Sequence, residues 1–85
     1  MRGTQTMDER FENYEGRNGV ITVKSIYGQD VYEAPIKMIN DGERVGVVIK
    51  GHDLFLYRNE IQNIVQTEDS LLIVGKSMSI KIVCC

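Results

Sequence analysis

Tyr32, Ala34, Ile36 and Met38 alternate with Glu33, Pro35, Lys37 and Ile39. A period of two sets the first group on one face of an extended chain and most of the second toward water, whereas a helix would scatter both. That alternation makes Val20 to Ile64 the stretch around which the rest is organised. Turn chemistry punctuates it and the residues beyond it: Tyr27-Gly28-Gln29-Asp30, Asn40-Asp41-Gly42-Glu43, Lys50-Gly51-His52-Asp53 and Val74-Gly75-Lys76-Ser77 each offer a glycine for a sharp reversal. Short strands joined by such turns form a meander, so the chain is predicted to be all-β. Pro35 has no backbone donor, which places its strand at a sheet edge or at a bulge.

Eighty-five residues, 42% of them hydrophobic and one of them proline, describe one ordered domain. A chain this short withdraws only about 60–65% of its unfolded surface from water, so its stability margin is thin. Two stretches sharpen the problem. Val45-Gly46-Val47-Val48-Ile49 and Leu71-Leu72-Ile73-Val74 are apolar on both faces. One face of each belongs to a core; the other needs a cover, and a second subunit is the expected one. In the last hairpin Met78, Ile80 and Ile82 face inward, with Ser77, Ser79 and Lys81 outward.

Before the strands, Met7, Phe11 and Tyr14 recur at spacings of four and three behind Asp8, a capping residue. They predict a short helix with one apolar face that must lie on something. Asp8, Glu9, Glu12 and Glu15 form its solvated acidic side. Residues 1–7 are polar and aperiodic and are expected to be disordered.

Ten Lys and Arg stand against twelve Asp and Glu, interspersed along the chain, for a formal charge of −2. A protein that grips nucleic acid through phosphates clusters its positive charge, so such a role here needs a local patch, built by assembling copies. No apolar run approaches the roughly 20 residues that cross a bilayer, and the first residues lack the apolar centre of a signal peptide. The expectations are a cytoplasmic location and no membrane partner. Cys84 and Cys85 are adjacent and read as two terminal thiols in a reducing compartment.

One sequence pattern resembles a known family, the Sm and Sm-like (LSm) proteins. In its first motif, β-branched residues lead to glycine, a small residue, an aliphatic, an apolar position and an Asp. Here Ile21 and Val23 precede Gly28, Ala34 takes the small position, Ile36 the aliphatic and Ile39 the apolar one, and Asn40 stands where Asp is usual. One extra residue falls between Gly28 and Ala34. The second motif reads aliphatic, Arg, Gly, two polar residues and two aliphatics three apart, and Leu56-Tyr57-Arg58-Asn59-Glu60-Ile61 with Ile64 keeps that spacing. Departures fall on the RNA-reading positions: the stacking residue aligns with Gly42, the Asn with Arg44, the Arg with Tyr57 and the Gly with Arg58.

The resemblance implies a small, strongly bent five-stranded barrel over residues 8–66, headed by the short N-terminal helix. Residues 67–85 are then an extra C-terminal β-hairpin, packed on the barrel or on a neighbouring subunit. It also implies a homo-oligomeric ring in which the fourth strand, Leu54 to Tyr57, pairs with the fifth, Glu60 to Val65, of the next copy. Single-stranded RNA is the implied partner at the pore, with Asn40, Arg44, Tyr57 and Arg58 as its site. Tyr57 is suited to stack on a base, and the arginines to hold phosphate. Each residue also has a plainer reading: Asn40 as a turn residue, Arg44 and Arg58 as surface charges, Tyr57 as interface packing.

Other chemistry finds little purchase. His52 beside Asp53 reads as a turn, because no further ligands share their spacing. Met38 and Met78 read as core fillers. Each glycine stands alone in its own turn, so none builds a phosphate loop. No catalytic residue, metal site or cofactor is assigned, and the chain is read as a non-enzyme. The alternative to an RNA-binding ring is a structural or adaptor module, of viral or mobile-element type, that keeps the ring without RNA.

Overall fold

A computed structural model describes residues 14–85 of the chain. The disordered stretch expected at 1–7 and, except for Tyr14, the helix expected from Met7 to Tyr14 lie outside the described residues. Eight strands succeed one another: β1 Asn18–Ser25, β2 Gly28–Pro35, β3 Met38–Asn40, β4 Arg44–Ile49, β5 His52–Tyr57, β6 Ile61–Gln66, β7 Ser70–Gly75 and β8 Met78–Cys84. A 3-10 turn at Arg58–Glu60 links β5 to β6. All pairings are antiparallel, in one five-stranded sheet of order β2-β1-β8-β7-β6 and one three-stranded sheet of order β3-β4-β5.

One strand serves both sheets. Around Pro35 the chain leaves β2, and the Ile36 amide donates to the Arg17 carbonyl at 2.7 Å while Gly16 donates back to Ile36 at 2.9 Å. The next carbonyl, Lys37, accepts from Val48 of the other sheet at 2.8 Å. β2 and β3 are thus one bent strand whose pairing changes sheet at the bend, a usual way to make a corner. Pro35 ends β2 at the sheet edge, as its missing donor requires.

The five-strand barrel expected from the resemblance is not what forms: the two sheets do not close into a barrel. The stretch beyond residue 66, expected as an extension, supplies β7 and β8, which lie between β6 and β1. Its side chains explain the position. Ile82 lies opposite Ile21 and Leu71, and Ile80 opposite Val23 and Ile73, so the period-two faces of β1, β7 and β8 coincide. Leu71, Ile73, Ile80 and Ile82 are each 0% exposed. Burying each is worth about 1.5–3 kcal/mol, which for the four together rivals the whole net stability of a small domain, about 5–15 kcal/mol. A hairpin carrying that share belongs in the core.

Val45, Val47, Ile49 and Leu56 face them from the three-stranded sheet. The two stretches expected to be apolar on both faces divide differently. In β4 the outward positions are Gly46 and the half-buried Val48; in β7 they are Leu72 and Val74, both half-buried. Tyr14 closes one end of the core: its buried hydroxyl donates to the carbonyls of Thr67 at 2.6 Å and Ser70 at 2.9 Å. Outside it, Arg17 bridges to Asp69 at 3.0 Å.

Gly46 lies opposite Phe55, and a Cβ there would overlap the Leu54 carbonyl oxygen and stand 2.5 Å from Phe55 Cα. Gly46→Ala is therefore expected to destabilise by about 3 kcal/mol or more, since backbone atoms cannot step aside. Gly42→Ala meets nothing within 4 Å and should stay within about 0.5 kcal/mol of the unaltered chain. Urea denaturation of both variants checks the contrast.

Candidate functional site

The β3–β4 turn is built on Asp41. Its Oδ1 accepts the amides of Glu43 at 2.9 Å and Arg44 at 2.8 Å, an Asx-type turn that Asp makes readily. Its own amide donates to the Arg44 carbonyl at 3.1 Å. Oδ2 then receives both Nε and a terminal nitrogen of Arg44, each at 3.1 Å. One carboxylate thus closes the turn and holds the first side chain of β4.

Arg44 lies opposite Tyr57 across β4–β5, and alternation puts Phe55 on the same outward face as Tyr57. The Arg44 guanidinium carbon stands 5.0 Å from the Phe55 ring centre, within cation–π range. Phe55 and Tyr57 meet edge to face, with centroids 5.3 Å apart. Asp53, two residues before Phe55, reaches Arg44 at 3.8 Å. Gly46, opposite Phe55, adds no side chain to this face and is itself buried.

Arg58 begins the 3-10 turn and ties it to the β3–β4 turn by three bonds. Its amide donates to the Glu43 carbonyl at 2.8 Å, its Nε to the Asp41 carbonyl at 2.9 Å, and a terminal nitrogen to Asn40 Oδ1. Gly42, Glu43, Tyr57, Arg58 and Asn59 line a shallow depression beside this seam, and Tyr57 is 49% exposed. The four residues singled out from the sequence, Asn40, Arg44, Tyr57 and Arg58, therefore share one corner.

The two arginines differ in what they have left to offer. Arg44 is neutralised by Asp41 and lies near Asp53; Arg58 donates to neutral oxygens and has no ion-pair partner among the described residues. The corner can offer one uncompensated cation beside one half-exposed aromatic ring. Sequence reasoning missed Asp41 and Phe55. The signal for Phe55 was its spacing of two from Tyr57 on a strand; for Asp41 it was the Asp-Gly pair after Asn40.

Elsewhere the titratable groups are dispersed. Among the described residues no three of His, Cys, Asp and Glu come together in a way that could hold a metal ion. Cys84 is buried at the end of β8, which raises its thiol pKa, and Cys85 is exposed; both are free. Compared with known proteins, the chain matches no family model, no curated protein and no solved structure.

The amides of Glu43 and Arg44, followed by the Arg44 guanidinium, hold the Asp41 carboxyl below its ordinary pKa. A carboxyl with a lowered folded-state pKa stabilises the fold above its unfolded value, near 4, and loses that contribution as pH falls through the folded one. The urea midpoint is expected to fall below about pH 4, and Asp41→Asn to flatten part of that slope while lowering stability at neutral pH. Midpoints measured from pH 2 to pH 7 on both chains test this.

Proposed function

We propose that this chain is a non-enzymatic, Sm-like module that assembles edge to edge into a homo-oligomeric ring, with β5 of one copy pairing with β6 of the next. The observation that carries the reading is the state of the sheet edges. Among the described residues β5 and β6 each have one strand partner, and they adjoin in the chain across Arg58–Glu60. β6, Ile61-Gln62-Asn63-Ile64-Val65-Gln66, holds no charge and no proline; β5 has a single acid, Asp53, near its start. The opposite edge, β2, carries Asp30, Glu33 and Pro35, the devices that keep strands apart, and β3 has only three residues. Where proteins defend one edge and leave another bare, the bare edge is the one with a partner.

Two different edges make a heterologous contact, which closes into a ring when the rotation per copy permits. The bend from β2 into β3 and the short 3-10 turn before β6 suit the Sm arrangement. The hairpin β7–β8 between β6 and β1 departs from it and carries β6 farther from β1 than in a five-strand barrel. A bulge at Ile61–Asn63 leaves Asn63–Gln66 as the evenly registered part of β6.

Arg44 is already compensated by Asp41, so this reading does not rest on RNA. A second reading, single-stranded RNA at the corner of Asn40, Arg44, Tyr57 and Arg58, is favoured by the half-exposed Tyr57 ring beside Arg58, whose charge has no ion-pair partner among the described residues. Cyclic assembly would repeat that pair around the pore and make a local patch on an acidic chain.

Sedimentation velocity at micromolar concentration is expected to show a single species of several copies. Lysines at Asn63 and Val65, both exposed, should shift it toward monomer without unfolding it; a monomeric unaltered chain at tens of micromolar ends the assembly reading. For the second reading, short oligo-U at low salt should bind, and Tyr57→Ala should weaken binding about tenfold, the loss of one stacked base. Absence of binding at low salt removes RNA and leaves assembly standing.

A further inference from the structure

The two largest exposures of apolar side chains in the described residues are neighbours. Ile26 is 79% and Tyr27 93% exposed, and together they form the loop of the β1–β2 hairpin between Ser25 and Gly28. Nothing about the turn calls for them. Tight hairpin loops favour Gly, Asn and Asp, and here the unusual backbone falls on Gly28, with φ of 142°, while Ser25 Oγ accepts the Tyr27 amide at 3.2 Å. An Asn or Ser at either position would make the same loop. Two large apolar groups in water, at a place that local structure leaves free, point to something they contact.

The surroundings indicate its charge. Ser25 lies opposite Met78, so the β7–β8 loop stands beside this one, and a shallow depression between them is lined by Lys24, Ile26, Lys76 and Ser77. Lys24 and Lys76 are exposed and have no ion-pair partner among the described residues, where every ion pair found uses an arginine. No acid occurs in 24–29 or 75–79. The nearest along β2, Asp30, lies opposite Val23, whereas Lys24 lies opposite Gln29, so the two project from opposite faces of the sheet. Glu60 adjoins Ile61, which lies opposite Gly75, so one exposed acid stands near Lys76 without an ion pair to it. Two lysines against that one acid leave this end positive on a chain of net charge −2.

We propose that the paired loops are a contact site for an anionic lipid surface, in which Ile26 and Tyr27 enter the headgroup layer and Lys24 and Lys76 meet the lipids' negative groups. The shape favours lipid over a folded partner. Ile26 and Tyr27 stand exposed at the end of a hairpin, and a bilayer yields around a projecting apolar tip where a protein would need a matching pocket. Tyrosine, with an apolar ring and a polar end, suits the headgroup level, and unpaired lysines beside it add attraction to anionic lipid. Among the described residues no helix is long and apolar enough to cross a membrane; contact of this kind needs none. The expectation of no membrane partner rested on spanning segments and leaves a surface contact open. Each chain carries its own tip, so the site does not depend on the ring, although cyclic symmetry would bring every tip to one height and multiply weak contacts.

The chain has no tryptophan, so Tyr27→Trp makes a single-site reporter at a position where the fold asks for nothing. With vesicles of phosphatidylcholine and phosphatidylserine at millimolar lipid and low salt, its emission should move to shorter wavelength. Partitioning should weaken roughly 30-fold when Lys24→Gln and Lys76→Gln are added, and similarly at high salt. Ile26→Ser should also weaken it, with the circular dichroism and sedimentation of each variant unchanged. Unmoved emission with anionic vesicles overturns the proposal, as does an equal shift with phosphatidylcholine alone. A shift with oligonucleotides and none with vesicles overturns it as well, and assigns the tip to nucleic acid.

Discussion

The rest of the structure depends on the register of β8 between β1 and β7. Ile82 meets Ile21 and Leu71, and Ile80 meets Val23 and Ile73, so the two rows form a continuous apolar floor for the three-stranded sheet to cover. A slip of one residue on β8 would turn Ile80 and Ile82 to water and bring Ser79 and Lys81 inside. With several fully buried aliphatics at stake in a domain of thin margin, that alternative is remote. Seating the hairpin there widens the first sheet to five strands, and its far edge, β6, is then not paired with β5. The undefended edges are thus a consequence of how the core is filled.

The corner of Asp41, Arg44 and Arg58 works by a different kind of physics. Its ion pairs are exposed, and such pairs add about 0–1 kcal/mol each, so they decide little about whether the chain folds. What they decide is geometry. Arg58 is bonded through its amide and its side chain to the β3–β4 turn, which fixes where β5 ends and in which direction β6 begins. The candidate site and the candidate pairing edges are joined through that one residue. A ligand held at Tyr57 and Arg58 would bear directly on the angle between the two edges.

Much of this was legible in the residues. Alternation identified the inward faces of β8 and of the bent strand through Ala34 and Ile36, and the missing donor of Pro35 placed its strand at an edge or a bulge; for β7, apolar on both faces, it identified none. The four turns named from their glycines fall at strand reversals as expected, with Gly42 and Gly51 in the loops, Gly28 opening β2 and Gly75 ending β7. The family resemblance singled out Asn40, Arg44, Tyr57 and Arg58, which come together in space, although the bonds that use up Arg44 were invisible because Asp41 was taken only for a turn residue. The partner of the C-terminal hairpin was not legible. A meander was expected to lay its strands in chain order, and β8 instead returns to β1.

Which residues point inward is a local matter wherever apolar and polar residues alternate, set by the two-residue repeat of an extended chain. Ala34, Ile36, Ile80 and Ile82 carry that information wherever they lie, whereas Ile73, in a stretch apolar on both faces, does not. Which strand lies beside which is set by long-range filling of one small core, through contacts between residues more than fifty apart, such as Ile21 with Ile82 and Tyr14 with Thr67. No repeat within a segment can encode such a match, because its free energy exists only when both segments are in place. The amino-acid order determined strands, turns and, where residues alternate, inward faces. Tertiary structure alone decided the sheet order, and with it which edges were left bare.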